Sequence, residues 1–152
     1  MIFLDANHAD VETVVMAGEM VVVTGEGELG GRAAAALLLA DWGVLREGGT
    51  LLLDSAEGWA GAVWRLGRGA YALHLAQRTR FTAEEAVAAG LCDSVTAFEL
   101  GGRSAVALDS AASLIRRRGG DALERAEFAR LFAAGIPRQG LTAFLRKEKP
   151  RF

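Results

Sequence analysis

A glycine-rich turn that opens a small apolar helix is the stretch of this sequence best suited to chemistry. Residues 20–41 read MVVVTGEGELGGRAAAALLLAD, which predicts a strand, a turn with four glycines, and a helix that opens at Gly31 and Arg32. Such a helix N-terminus offers unshielded backbone N–H groups and the positive end of the helix dipole, which suit a phosphate or a developing oxyanion. The simpler alternative, which this stretch alone favours, is a turn whose glycines let helix and strand pack closely.

This turn matches the common phosphate-binding motifs poorly. Gly25, Gly27 and Gly30 have the GxGxxG spacing, but the acidic partner that a dinucleotide site needs is not evident. No lysine followed by serine or threonine is present to complete a P-loop. The turn is therefore specific for charge rather than for a nucleotide.

Composition limits the classes of partner. The 152 residues are 51% hydrophobic and 24% charged, which is typical of one globular domain. The net charge of −2 is too small to indicate nucleic acid or an anionic membrane as a partner. A single cysteine excludes an intrachain disulfide, and the longest apolar run, Ala33–Ala40, is too short for a bilayer span. We expect a soluble, cytoplasmic protein.

Other reactive side chains are isolated in the sequence. His8 and His74 are far apart, and no His, Cys or carboxylate spacing predicts a metal site or a bound cofactor. Cys92 has no neighbouring cation and is interpreted as a small buried hydrophobe. Trp42 and the pair Trp59 and Trp64 flank the region after the turn, either as core residues or as the wall of an acyl or adenine pocket.

The remaining elements follow from periodicity and capping signals. The clearest is FTAEEAVAAGL, in which Thr82 and Glu85 have capping-box spacing and Gly90 predicts the helix end. Asp121 and Glu124 have the same spacing. The sequence predicts strands at Met1–Leu4, Met20–Val23, Thr50–Leu53 and Val95–Leu100, and a loop at 54–61. It predicts a helix capped by Asn7, a helix at Ala33–Ala40 that Asp41 and Trp42 close, and helices at Ala62–Ala76, Ser110–Arg118, Asp121–Ala134 and Gln139–Lys147. Aromatic residues on one face of the last two helices predict docking on the domain or on another subunit.

Three stretches resemble, in order, the crotonase (enoyl-CoA hydratase/isomerase) family. GGRAAAALLLADWGVLREGGTLLL is similar to the family's glycine turn with a small-residue helix that ends in aspartate. WRLGRGAYALHLAQRTRFTAEEAVAAGLCDSV is similar to its Arg-Leu and Ala-Glu-Glu-Ala run, and ERAEFARLFAAGIPRQGLTAFLRKEKPRF to its C-terminal segment. The resemblance covers about residues 20–152 and identifies the chain as an amino-terminally truncated member.

The resemblance implies an α/β fold, the crotonase-like spiral of ββα units with a C-terminal helical oligomerisation region. Residues 1–110 would form the spiral core and 111–152 the trimerisation region of a homotrimer or homohexamer. It also implies a coenzyme A thioester as substrate or ligand. The backbone N–H of Gly31 or Arg32 would be one oxyanion-hole donor, and Lys147 would contact the CoA phosphates.

The family's two glutamates are absent at the matching positions. Ala34 or Ala35 stands where the first would be, and the second falls near Ser55. Asp54 and Glu57 are the only carboxylates near enough to act as acid and base, with loop capping as the simpler role for both. The resemblance therefore implies an acyl-CoA binder, and the missing glutamates argue against hydratase activity. The alternatives are an active acyl-CoA lyase or isomerase that uses Asp54 or Glu57, and a non-catalytic scaffold subunit of a larger crotonase complex.

Overall fold

The chain divides into a unit of strands and helices and a largely helical unit. The computed structural model describes residues 1–117 and 120–152, without the side chains of residues 70–77. One unit comprises residues 2–17 and 21–98, and the other comprises Met1, residues 18–20 and residues 99–152. The predicted boundary at residue 110, between a spiral core and a trimerisation region, stays a prediction.

The described strands are β1 (Ile2–Asp5), β2 (Val21–Gly25), β3 (Glu28–Leu29), β4 (Trp42–Leu45), β5 (Thr50–Leu52) and β6 (Arg80–Thr82). The described helices are α1 (Val11–Met16), α2 (Gly31–Leu39), α3 (Ala56–Gln77), α4 (Ala83–Ala88), α5 (Ala105–Arg116), α6 (Asp121–Ala133) and α7 (Ile136–Arg146). Within these residues, no helix combines the length and apolar character that a membrane span requires.

Two small sheets organise the first unit. In the first, β2 lies between β1 and β4 and is parallel to both, with Val23 paired to Leu4 and to Gly43. In the second, β5 lies between β3, to which it is parallel, and β6, to which it is antiparallel. The three consecutive valines of β2 are fully buried, which is typical of a strand covered on both faces.

Helix α2 lies in the centre of this unit and is buried from Ala34 to Leu38. Glycines permit its close contacts with neighbouring elements. A Cβ on Gly43 of β4 would lie 2.8 Å from the Leu37 carbonyl oxygen, and one on Gly61 of α3 would lie 2.9 Å from Leu38 Cβ. Small residues therefore set how closely α2 approaches both β4 and α3.

Three predictions about this unit are wrong. Helix α1 begins after Asp10 rather than after Asn7, whose N–H instead donates to the Asp5 carboxylate. Trp42 starts a strand instead of closing α2. Residues Val95–Leu100 do not form a strand; only the adjacent Ser94 makes an isolated bridge, to Val44. The two strand errors share a cause, because pairing partners distant in sequence decide whether such short segments become strands.

The segment 54–61 also differs from its prediction as a loop. Helix α3 starts at Ala56, where the Ser55 hydroxyl oxygen accepts a hydrogen bond from the Gly58 N–H at 3.1 Å. This serine cap starts the helix early, although glycines follow it. The helix is interrupted at Gly67, whose φ of 73° and ψ of 165° are not helical.

The capping prediction for α4 is confirmed. The Thr82 hydroxyl accepts from the Glu85 N–H, and the Glu85 carboxylate accepts from the Thr82 N–H at 2.9 Å. At the other end, Gly90 has a φ of +76° and the Leu91 N–H donates to the Ala86 carbonyl at 2.8 Å, as in a Schellman motif. The same capping prediction for Asp121 is wrong, because Gly120 precedes α6 and no side chain caps it.

The second unit contains α5, α6 and α7. Helix α5 begins at Ala105 under the Ser104 cap, earlier than predicted, and Arg118 lies outside the described residues. On the last two helices, the apolar side chains that were predicted to dock are exposed, and their docking stays a prediction. These side chains are Phe128 and Phe132 on α6 and Leu141, Phe144 and Leu145 on α7, all at least half exposed.

Replacing Gly61 with alanine is expected to lower the free energy of unfolding by about 1–3 kcal/mol, because the new methyl group overpacks the contact with Leu38. Gly69→Ala in the same helix is the matched control, since a Cβ there meets no atom within 4 Å. Denaturant unfolding of both variants measures the difference. Equal stabilities of the two variants would show that α2 and α3 are not packed this closely.

Stability should also depend on pH through Glu85. Hydrogen bonds from the Thr82 N–H and then from Arg78 lower the pKa of Glu85 in the folded state. The folded state therefore gains stability above the unfolded-state pKa of Glu85 and loses it as pH falls through the lowered pKa. Thermal midpoints from about pH 7 down to about pH 3 should fall less steeply for Glu85→Gln than for the wild type. Glu84→Gln, on the same helix turn, is the control.

Candidate functional site

Two parallel strands bring the glycine turn and Asp54 together. Gly30 and Gly31 follow β3, and Leu53 and Asp54 follow β5, its parallel neighbour. Because parallel strands end at the same edge of a sheet, both segments emerge side by side. The Gly31 N–H donates a hydrogen bond to Asp54 Oδ1 at 3.0 Å. The structure thus joins the predicted oxyanion donor and a predicted catalytic carboxylate.

The geometry of this turn favours glycine at both positions. Gly31 has a φ of +53°, in the left-handed region that favours glycine. Gly30 is extended, and a Cβ on it would lie 2.8 Å from Asp54 Oδ2. The absence of that side chain lets the carboxylate approach the start of α2. The simpler sequence alternative, in which the glycines allow close approach, is therefore part of how this site is built.

The Asp54 carboxylate caps α2, because the residue at the N-cap position of this helix has no side chain that could do so. Gly30 occupies the N-cap position and has no side chain to accept from the first amides. The Asp54 carboxylate supplies an oxygen from another segment and places a negative charge at the positive end of the dipole. Among the described residues, no hydrogen bond engages the next amide, that of Arg32. The roles of Gly31 and Arg32 as oxyanion donors stay predictions.

The other predicted residues of this site are exposed or structural. Glu57 lies in the first turn of α3 with an exposed side chain. The Arg32 guanidinium pairs with Asp10 at 2.8 Å and does not turn toward Asp54. The Trp59 indole N–H donates to the Leu53 carbonyl, which fixes the residue before Asp54. Among the carboxylates of the described residues, only Asp54 accepts a hydrogen bond from a backbone amide at the N-terminus of α2.

Ala34 and Ala35, one of which is predicted to stand where the resembled family has its first glutamate, are buried. Ala34 and Ala35 are at most 1% exposed. Positions built for Cβ atoms on Gly58 and Gly61 of α3 lie 3.8 Å from Ala34 Cβ and 3.6 Å from Ala35 Cα. A carboxylate in this contact would be buried among alanine and glycine, at a high desolvation cost. In this structure these positions serve helix packing.

Among the described residues, the remaining candidate side chains make no hydrogen bond or ion pair with this turn. Cys92 is buried, and desolvation raises the pKa of its thiol to about 12, which confirms it as an apolar core residue. His8 is exposed near Asp5, and the His74 side chain lies outside the described residues. Trp42 packs edge-on against Phe98 with ring centroids 5.5 Å apart.

Comparison with known proteins identifies the fold. No protein-family model matches the sequence, and no curated protein matches it at a significant level. Solved structures do match. An enoyl-CoA hydratase from Polaromonas sp. superposes with a TM-score of 0.71 at 20% identity, over 93% of this chain and 65% of that one. An enoyl-CoA hydratase from Bacillus anthracis gives a TM-score of 0.71 at 18% identity, over 93% and 65%.

A third solved structure with this fold also matches the chain. An enoyl-CoA hydratase/isomerase from Marinobacter aquaeolei matches with a TM-score of 0.67 at 18% identity, over 93% of this chain and 63% of that one. The chain thus spans less than two thirds of the length of these structures. It has the crotonase fold, as the sequence resemblance implies, and this similarity extends over nearly all of its residues.

Replacing Asp54 with alanine is expected to lower the free energy of unfolding by about 1 kcal/mol, because α2 loses the oxygen that caps it. Asp54→Asn keeps an acceptor oxygen and should lose less than the alanine variant. Urea unfolding of the two variants measures both values. Unchanged stability of Asp54→Ala would contradict a capping role for the carboxylate.

Proposed function

We propose that this chain binds a coenzyme A thioester with the thioester oxygen at the N-terminus of α2, and that it does not hydrate enoyl thioesters. The hydrogen bond from the Gly31 N–H to Asp54 carries the proposal. That amide points toward an exposed carboxylate oxygen instead of an acceptor in the core. An oxygen with partial negative charge is what a polarised thioester would present there.

The crotonase fold supports a thioester as the ligand class. The solved structures with this fold that match the chain include enoyl-CoA hydratases. In the family that the sequence resembles, a backbone N–H at the glycine turn polarises the thioester carbonyl. In this chain the corresponding amides belong to Gly31 and Arg32, at the start of a helix whose dipole favours negative charge.

The absence of hydratase activity follows from the carboxylates. Hydration needs an acid and a base on either side of a water molecule. The position of the first glutamate is taken by buried alanine, and Glu57 is exposed on the first turn of α3. Among the described residues, Asp54 is the one carboxylate bonded to an amide at the N-terminus of α2, whereas hydration needs two carboxylates.

Asp54 favours one alternative function, that of an acyl-CoA isomerase or lyase. A single carboxylate beside an oxyanion donor can accept a proton from the carbon next to a thioester carbonyl once an enolate is stabilised. The 3.0 Å contact with the Gly31 N–H puts Asp54 within reach of such a position. This activity requires the thioester oxygen to replace the carboxylate at that amide.

Assembly through the helical unit belongs to the same proposal. Phe128, Phe132, Leu141, Phe144 and Leu145 expose apolar surface on α6 and α7. Contiguous exposed apolar side chains are typical of subunit interfaces. We therefore propose a homotrimer or homohexamer in the cytoplasm, with a scaffold role beside a longer crotonase subunit as the alternative for this unit.

Calorimetric titration with an acyl-CoA thioester and with free CoA tests the proposal. Removing the competing carboxylate with Asp54→Ala should tighten thioester binding by about 3- to 10-fold, the size of one hydrogen bond, and leave free CoA binding unchanged. Glu57→Ala is the control, because this carboxylate makes no contact with the Gly31 amide in the structure. If neither the wild type nor Asp54→Ala binds the thioester, the proposal that this chain binds a coenzyme A thioester is refuted.

Turnover measurements separate the alternatives. The absorbance of an enoyl thioester should stay constant when the wild-type chain is added, because the proposed site lacks the second carboxylate that hydration needs. Isomerisation or cleavage of an acyl-CoA that is lost in Asp54→Asn would favour the isomerase or lyase. Co-purification with a longer crotonase, without heat from any CoA compound, would favour the scaffold.

A further inference from the structure

A cavity in the first unit lies beyond the carboxyl ends of β2 and β4, which are parallel neighbours. Strand β2 ends at Gly25 and β4 at Leu45, and the residues that follow both strands line the cavity together with residues 95–97. Its volume is about 630 Å³, which is in the range of small-molecule sites. Ligands of α/β sheets commonly bind at this end of parallel strands. The proposed thioester site follows β3 and β5 in the other sheet and shares no residue with this cavity.

Two glycines leave backbone groups accessible in the cavity. Gly27 has a φ of +68° and Gly48 has a φ of +78°, and a Cβ on either residue would meet no atom within 4 Å. In the part of the chain that the structure describes, no acceptor is bonded to the N–H of Gly27 or of Gly48. Both N–H groups can therefore donate to an oxygen of a ligand.

Arg46 is the cation of this cavity, and its guanidinium group lacks good partners. Its Nε is buried and has no hydrogen-bond partner among the described residues. Glu26 Oε1 lies 3.8 Å from this Nε, which is beyond hydrogen-bond range. A buried N–H without an acceptor is unfavourable, and a carboxylate bound through Nε and one Nη would supply the acceptor. The Arg46 side chain is 41% exposed, so it has room to turn toward such a ligand.

Two carboxylates, those of Glu26 and Glu47, accompany this arginine in the lining. The Glu26 side chain is 75% exposed and makes only the long contact with Arg46. Glu47 is exposed and forms no ion pair or hydrogen bond within residues 1–117 and 120–152. One cation and two carboxylates leave an excess of negative charge, which disfavours a phosphate or a dicarboxylate as the ligand. The arginine in turn disfavours a ligand that carries cations alone.

We propose that this cavity binds an amino acid with a cationic side chain. The carboxylate of such a ligand pairs with Arg46, and its two ammonium groups meet Glu26 and Glu47. Ligand and cavity then carry opposite charges in equal number. The Thr96 hydroxyl, held 2.9 Å from Ser94 Oγ, and the N–H groups of the two glycines add neutral hydrogen bonds. The proposal goes beyond thioester binding and does not rest on it.

Calorimetric titration of the full chain with L-lysine tests the cavity. L-Norleucine lacks the side-chain ammonium group of lysine, and cadaverine lacks its carboxylate. L-Lysine should bind saturably below about 10 mM. Cadaverine should bind at least about 10-fold more weakly, because it loses the paired contact with Arg46. L-Norleucine should bind at least about 3-fold more weakly, because the contact that it loses is to an exposed carboxylate.

Variants at the charged positions test the assignment of roles. Arg46→Gln should weaken L-lysine binding at least about 10-fold. Arg68→Gln is the matched control, because Arg68 is exposed on α3 outside the cavity, and it should change the affinity less than about 2-fold. Glu47→Gln, at an exposed position, is a second variant and should weaken L-lysine binding about 3-fold. Thermal unfolding checks that all three variants fold.

Three results would overturn the proposal. The first is the absence of saturable L-lysine binding by the wild type up to about 10 mM. The second is binding of cadaverine or L-norleucine as tight as that of L-lysine, which would show that the cavity does not read both kinds of charge. The third is equal weakening in Arg46→Gln and Arg68→Gln. Asp54→Ala should leave L-lysine binding unchanged, so failure of the thioester proposal is separable.

Discussion

Burial of α2 on all sides is the constraint on which the first unit depends. A helix made of alanine and leucine cannot face water over its length, so it must be enclosed by the sheet and by α3. The enclosure is close because Gly43 and Gly61 lack side chains where they meet α2. Its first turn stays accessible, so the proposed chemistry at α2 is placed at its N-terminus.

In the proposed function, one contact in that first turn serves both the stability of α2 and ligand binding. Its amides need an acceptor, and Gly30 cannot provide one. Asp54 meets this need from the end of the neighbouring parallel strand. The same carboxylate then occupies the position that a thioester oxygen would use in the proposed function. A ligand must offer the Gly31 amide a better oxygen than Asp54 does, which couples the affinity of the site to the cap of the helix.

The second unit differs from the first in how much apolar surface it exposes. Its helices α6 and α7 leave large apolar side chains exposed. This exposure is costly for an isolated unit in water and is relieved by binding. The apolar face therefore suits another subunit.

The sequence by itself determined the elements whose signals are local. Strand β2, the apolar helix α2, the capping box and Schellman end of α4, and the exposed face of α7 all follow from propensity, periodicity and capping over a few residues. The order of three motifs also predicted the crotonase fold. Tertiary structure alone decided the short strands β3 and β4, because two to four residues become a strand only when a partner is present. It likewise decided the contact between Asp54 and Gly31, since residues 23 positions apart meet only through the pairing of β3 with β5.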